Sequence, residues 1–162
     1  MIEVEALRAS YRPQCITTLF VGESAPASGA FFYRGNTSLK RHMEQALAAS
    51  GLVGNSDFLE RFKSYGWYLD DLVLTPVDRL PRPERRLQCE TALESLATRI
   101  ADYQPQAIVS LMRGIERFVN RAADLAHSDA PRFAVPFPGQ GQQGRFRREI
   151  AGILPLLPRL PQ

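Results

Sequence analysis

Glu23 stands one glycine beyond an apolar run, CITTLFV (15–21), and three aromatics follow it closely, Phe31, Phe32 and Tyr33. A carboxylate at the end of a buried strand can polarise a water molecule or balance a developing positive charge. Aromatic side chains nearby can stack on a planar ligand, and stacking on a nucleobase contributes roughly 1–3 kcal/mol. The same residues also admit a plainer role, with Phe31 and Phe32 filling the core and Glu23 capping a loop. A second cluster lies far along the chain. GQGQQG (139–144) runs into Arg145, Arg147 and Arg148. A glycine-rich turn opening a helix presents main-chain N–H groups to an anion, and arginines in its first turns suit a phosphodiester. Gln140, Gln142 and Gln143 are the right side chains for phosphates or base edges, although a helix with exposed arginines accounts for the same spelling.

Two phosphate cradles are excluded by the residues. A Walker loop needs Lys and Ser/Thr after its last glycine, and Arg145 follows Gly144 instead. The dinucleotide spelling G-x-G-x-x-G is present, but it follows the last apolar run, where no βαβ unit remains to carry it.

Four apolar runs can supply strands to position these groups: CITTLFV (15–21), WYLDDLVL (67–74), AIVSL (107–111) and FAVPF (133–137). The first and third lack polar alternation, as strands covered on both faces do. Helical periodicity fills the gaps. Leu39, Met43, Ala46 and Leu47 share one face, with Thr37 as N-cap and Gly51 as the stop. Cys89, Ala92, Leu93, Leu96, Ala97 and Ile100 define the apolar face of one long helix running from Pro83 to Tyr103. Two more helices follow, in RGIERFVNRAADLA and GQQGRFRREIAGI. Strands alternating with helices predict a parallel sheet covered on both sides. In such sheets, ligands bind beyond the carboxyl ends of the strands, where the Glu23 loop, Asp70–Asp71 and the glycine-rich loop would converge.

At 162 residues, 44% hydrophobic and 23% charged, the chain reads as one domain, 1–162. Residues 151–162 repeat proline-flanked leucines, which cannot form a regular helix and predict an extended tail docked on the domain. No apolar run reaches the roughly 18 residues of a membrane span, and MIEVEALRAS lacks the features of a signal peptide, so a cytoplasmic chain without membrane partners is expected. Cys15, Cys89, His42 and His127 form no metal-binding spacing, and neither metal nor cofactor is expected. The net charge of +3 is unevenly placed. From Arg132 onward, Arg132, Arg145, Arg147, Arg148 and Arg159 face a single acid, Glu149, a balance suited to phosphates.

Several stretches in order carry a likeness: GESAP (22–26), FFY (31–33), YLDDLV (68–73), TPVDRLPRP (75–83), CETALESLATRIADYQPQAIVSL (89–111) and FPGQGQQGR (137–145). In these the chain resembles the uracil-DNA glycosylase superfamily over nearly its whole length. The likeness is to the thermophilic iron–sulfur branch, whose cluster cysteines are absent here, and to its shorter bacterial relatives. The resemblance implies a three-layer α/β/α sandwich around a four-stranded parallel sheet. It implies extrusion of a nucleotide from DNA and hydrolysis of its N-glycosidic bond, with Glu23 as the catalytic carboxylate. Gly22, Ser24, Phe31, Phe32, Asp71 and Phe137 would surround the base. Pro138, Gly139, Gln140, Gln142, Gln143 and Arg145 would grip the DNA strand, single or double. Asp71 stands where the family has Asn, Phe137 where it has His, and Ala25 where it has Pro. The expected activity is excision of a damaged or deaminated base; the alternative is a non-catalytic module that holds a base or nucleotide on the same fold.

Overall fold

The computed structural model describes residues 2–52 and 57–162. Four strands, β1 (Thr18–Gly22), β2 (Trp67–Asp71), β3 (Ala107–Ser110) and β4 (Arg132–Ala134), form one parallel sheet in the order β2-β1-β3-β4. Thr18 lies opposite both Trp67 and Ala107, and Gly22 opposite Asp71, so the strand ends are level where the chemistry was expected. Each strand falls within or against one of the four apolar runs. β1 to β3 are buried at every residue; β1 and β3 lack polar alternation, while β2 buries Asp70 and Asp71 at its end. β4 is shorter and half-buried, and Pro136 and Pro138, which have no N–H, prevent the ladder from continuing.

Helices α1 (Ile2–Ser10), α2 (Ser38–Ala49), α3 (Phe58–Ser64), α4 (Arg82–Thr91), α5 (Leu93–Tyr103), α6 (Glu116–Leu125) and α7 (Gln143–Ile153) complete the α/β/α sandwich. α2 packs on α7 and α5 on α6, one pair on each face. The α2 boundaries are those of the sequence. Thr37 accepts a hydrogen bond from the Lys40 N–H at 3.2 Å, Leu39, Met43, Ala46 and Leu47 are buried, and Gly51 takes φ 72° just past the end. The single helix expected over 83–103 is instead two, α4 and α5, parted at Ala92. No helix-breaking residue marks that joint. The two differ in burial: α5 buries Leu93, Leu96 and Ile100 and packs on α6, whereas α4 buries only Cys89. α1 and α3 were not foreseen. Among the described residues no helix is long and apolar enough to cross a membrane.

β2 is an edge strand, and its exposed main chain is covered by a side chain. The Tyr33 hydroxyl donates to the Leu69 carbonyl at 2.9 Å and accepts from the Leu69 N–H at 2.6 Å. Burial holds this phenol well above its ordinary pKa, so it keeps the proton it donates.

The tail expected to be extended over 151–162 is so only from Leu157 onward: residues 151–153 complete α7 and Leu154–Leu156 make a short 3-10 turn, after which the chain runs across the opposite end of the sheet. Leu154 and Leu157 are buried. The Pro158 carbonyl accepts from Thr18 Oγ1 and from Trp67 Nε1, each at 2.9 Å. Trp67→Phe removes one of these bonds and is expected to lower stability by about 0.5–1.5 kcal/mol, read as a lower denaturant midpoint with unchanged m. A variant as stable as the parent would mean that the Trp67 bond adds nothing to what Leu154, Leu157 and the Thr18 hydroxyl already hold.

Candidate functional site

Beyond the carboxyl ends of the strands, three cavities adjoin. The first, of about 240 Å³, lies on the β2 side of β1. Phe31, Phe32, Leu39 and Leu69 supply its apolar walls, and Ser24, Asn36, Thr37 and Asp71 its polar edge. Phe32 belongs equally to the core, meeting Tyr33, Phe58 and Phe62 edge-on with centroids 5.1 to 6.2 Å away. Phe31 carries the Arg8 guanidinium over its ring at 5.0 Å. The Asn36 carbonyl oxygen accepts from the Phe31 N–H at 2.9 Å, which leaves its NH₂ group as the donor for a ligand. Gly22 ends β1 against Asp71, whose Oδ1 would lie 2.6 Å from any added Cβ, so only glycine allows the approach.

Asp71 sits in a buried charge network. Arg8 Nη2 is 3.0 Å from Asp71 Oδ2, and Arg8 Nη1 is 3.6 Å from Asp70 Oδ1. Asp70 is further held by Arg99 at 3.0 Å and by the Tyr103 hydroxyl at 2.8 Å. Among the described residues Arg8 is the one cation paired with the Asp71 carboxylate, while Arg99 Nη1 donates to the Asp71 main-chain carbonyl at 2.7 Å. Burial pushes the Asp71 carboxyl up to about 6, Arg8 pulls it back, and the Asp70 charge adds to the rise. Arg8 itself stays charged: burial opposes the charge, but Asp71, Asp70 and Glu5 outweigh it.

Glu23 does not face this cavity. It opens on the other side of its loop into a second one of about 370 Å³, lined by α4 and α6. There Arg85 takes both of its oxygens, with Nε at 2.9 and 2.8 Å and Nη2 also on Oε1. The bonds to Glu23 raise the Arg85 pKa. Cys89 lines the same space. Burial, with the Glu23 charge added, pushes its thiol up to about 11, so it is protonated and unreactive at neutral pH.

The third cavity, of about 760 Å³, joins the other two. It shares Phe137 with the first and Arg82, Arg85, Met112 and Gly114 with the second. Gly139, Gln140, Gln142 and Arg145 line it, while Pro138 and Gln143 lie outside all three. Gln140 and Gly141 take φ 51° and 83°, which turns the loop back so that the Gln142 N–H donates to the Gly139 carbonyl. A Cβ on Gly139 would stand 3.3 Å from the Phe137 ring, so the glycine seats that aromatic, which is 38% exposed at the junction.

The structure therefore brings Ser24, Phe31, Phe32, Asp71 and Phe137 together and sets Glu23 beside them, facing away. Arg8, Arg85 and Arg99 were not foreseen. Among the described residues no group of three His, Cys, Asp or Glu side chains is placed to hold a metal ion. No known protein-family model matches the chain, and no curated protein matches it.

Proposed function

We propose that this chain binds DNA, takes one base out of the stack into the Phe31–Phe32 cavity, and hydrolyses the N-glycosidic bond of a damaged or deaminated base. One observation carries the reading: an apolar cavity with a carboxyl group at its edge opens, through Phe137, onto a cleft lined by arginines. At about 240 Å³ the cavity is smaller than the roughly 300–1,000 Å³ of ordinary ligand sites, which suits a single ring system rather than a whole nucleotide. In the reaction the bond from the sugar C1′ to the base nitrogen breaks, and water oxygen bonds to C1′. The water proton leaves to a base or solvent, and the departing base takes up a proton. Glu23, held by Arg85 on the arginine side of its loop, balances the sugar cation once the sugar is seated on that side and Arg85 is drawn off it. Asp71 reads the base: protonated it donates one hydrogen bond and accepts others, ionised it only accepts. Phe137 has no proton to offer the leaving base.

A second reading has its own support. Arg85 occupies both Glu23 oxygens, as it would in a module that holds a base without cleaving it. Single-turnover assays on single- and double-stranded oligonucleotides carrying uracil, hypoxanthine or xanthine, followed by alkali, separate the two. Strand breaks at one lesion are expected. Intact strands after hours at excess protein, with salt-sensitive binding retained, would replace hydrolysis by binding alone.

The position of Phe137 gives a further expectation. Phe137→Ala is expected to weaken oligonucleotide binding by about 1–3 kcal/mol, roughly 5- to 150-fold in Kd, if it stacks on a base beside the cavity. Fluorescence anisotropy measures this directly, and an unchanged Kd would place the strand elsewhere.

A further inference from the structure

The cleft holds more positive charge than a single base site needs. Arg82, Arg85 and Arg86 on α4 and Arg117 on α6 line the same 370 Å³ cavity, which continues into the 760 Å³ cavity carrying Arg113 and Arg145. The acids lining the two are Glu23, already bound by Arg85, and Asp78. Arg113 and Arg145 share Glu149, and Arg86 pairs with Glu90. Among the described residues, Arg82 and Arg117 have no carboxylate partner, and the Arg117 guanidinium lies over the Phe118 ring at 4.6 Å. The groove also lies between the loops after β1 and β3, where the strand order reverses and open parallel sheets bind their ligands.

We propose that the groove between α4 and α6 is a second nucleic-acid subsite, which binds the phosphodiester backbone of a single DNA strand continuing past the base cavity. The inference extends the base-binding reading, since Phe137 joins that cavity to the arginine cleft. A mononucleotide would engage one stretch of the cleft. Three connected cavities, one apolar and two lined by arginine, match a polymer that offers one base and several phosphates. The uncompensated charge of Arg82, shared by the two arginine-lined cavities, and of Arg117 in the groove concentrates the attraction there.

Salt dependence reads the contacts. Each phosphate neutralised on a single strand contributes about 0.7 to the slope of log K against log salt. The pair Arg82→Gln/Arg117→Gln is therefore expected to lower the slope by about 1.4. The pair Lys63→Gln/Arg159→Gln, which removes equal charge at the opposite end of the strands, is expected to leave it unchanged. Two probes are compared by anisotropy: a single-stranded oligothymidylate, and an abasic oligomer with the same sugar–phosphate backbone. Both should show the loss of slope, because the groove needs no base. An unchanged slope in the groove variant, or an equal fall in the control pair, overturns the subsite while leaving the base cavity standing. If the abasic oligomer binds as tightly as the oligothymidylate, with the slope still lost in the groove variant, the base cavity fails and the groove stands. If neither probe binds the parent protein, both fail.

Discussion

Arg8→Met is expected to lower the free energy of unfolding by about 3–5 kcal/mol at neutral pH, the usual cost of removing one partner from a buried ion pair. The side chain is 3% exposed and lies 3.0 Å from Asp71. Asp70 would keep Arg99 and Tyr103, whereas the Asp71 carboxylate would lose its paired cation and keep Arg99 only on its main-chain carbonyl. The pH dependence follows from the direction of the Asp71 shift. Its native pKa, about 6, lies above the ordinary 3.8, so the native state binds the proton more tightly than the unfolded chain. The stabilisation this gives is complete below about pH 4 and is lost as pH rises through about 6. Arg8 limits that loss by favouring the ionised carboxylate. Removing it raises the pKa further, so the penalty should be large at about pH 8 and small at about pH 5. Chemical denaturation at the two pH values measures it, together with Asp71→Asn and the double variant. In the Asp71→Asn background, Arg8→Met should cost much less than in the parent. Equal costs in both backgrounds and at both pH values would show that Arg8 acts by packing on Phe31 and not by charge.

The network around Arg8 also shows where sequence reasoning runs out. α2 was legible because its information is local: a cap, four apolar residues on one face, and a glycine past the end. β1 and β3 were legible because burial on both faces leaves a run without polar alternation, whereas β2 buries two aspartates and β4 is half-buried. The tail was legible only in part: prolines end the α-helix, but α7 runs to Ile153 and a 3-10 turn follows before the extended stretch. Arg8 meets Asp70 and Asp71 across most of the first half of the chain, and Arg85 meets Glu23 across 62 residues. Nothing local marks either pair. The joint at Ala92 was equally silent, since alanine is a good helix former. The side of the loop that Glu23 faces was not marked in the sequence for a simpler reason. Successive residues of extended chain point to opposite sides, so Ser24 lines the base cavity while Glu23, its neighbour, lines the arginine groove.

That placement sets the largest effect expected on function. Glu23→Gln should cut the single-turnover rate by about 10²–10⁴, the range for losing a carboxylate that handles a proton or charge in the transition state. It should also tighten binding of the undamaged strand. The substitution deletes a negative charge from a groove lined by arginines and frees the Arg85 guanidinium, now fully committed to that carboxylate, for a phosphate. Arg85→Gln should do the opposite to affinity, since it leaves Glu23 ionised and uncompensated beside the strand. Rates and Kd measured on the same lesion-bearing and lesion-free oligonucleotides give both signs in one experiment. A loss of rate and affinity together in Glu23→Gln would mean that the carboxylate supports the loop and does no chemistry. Tighter binding with no turnover in either protein would mean that Glu23 serves to restrain Arg85, and that the base is held without being cut.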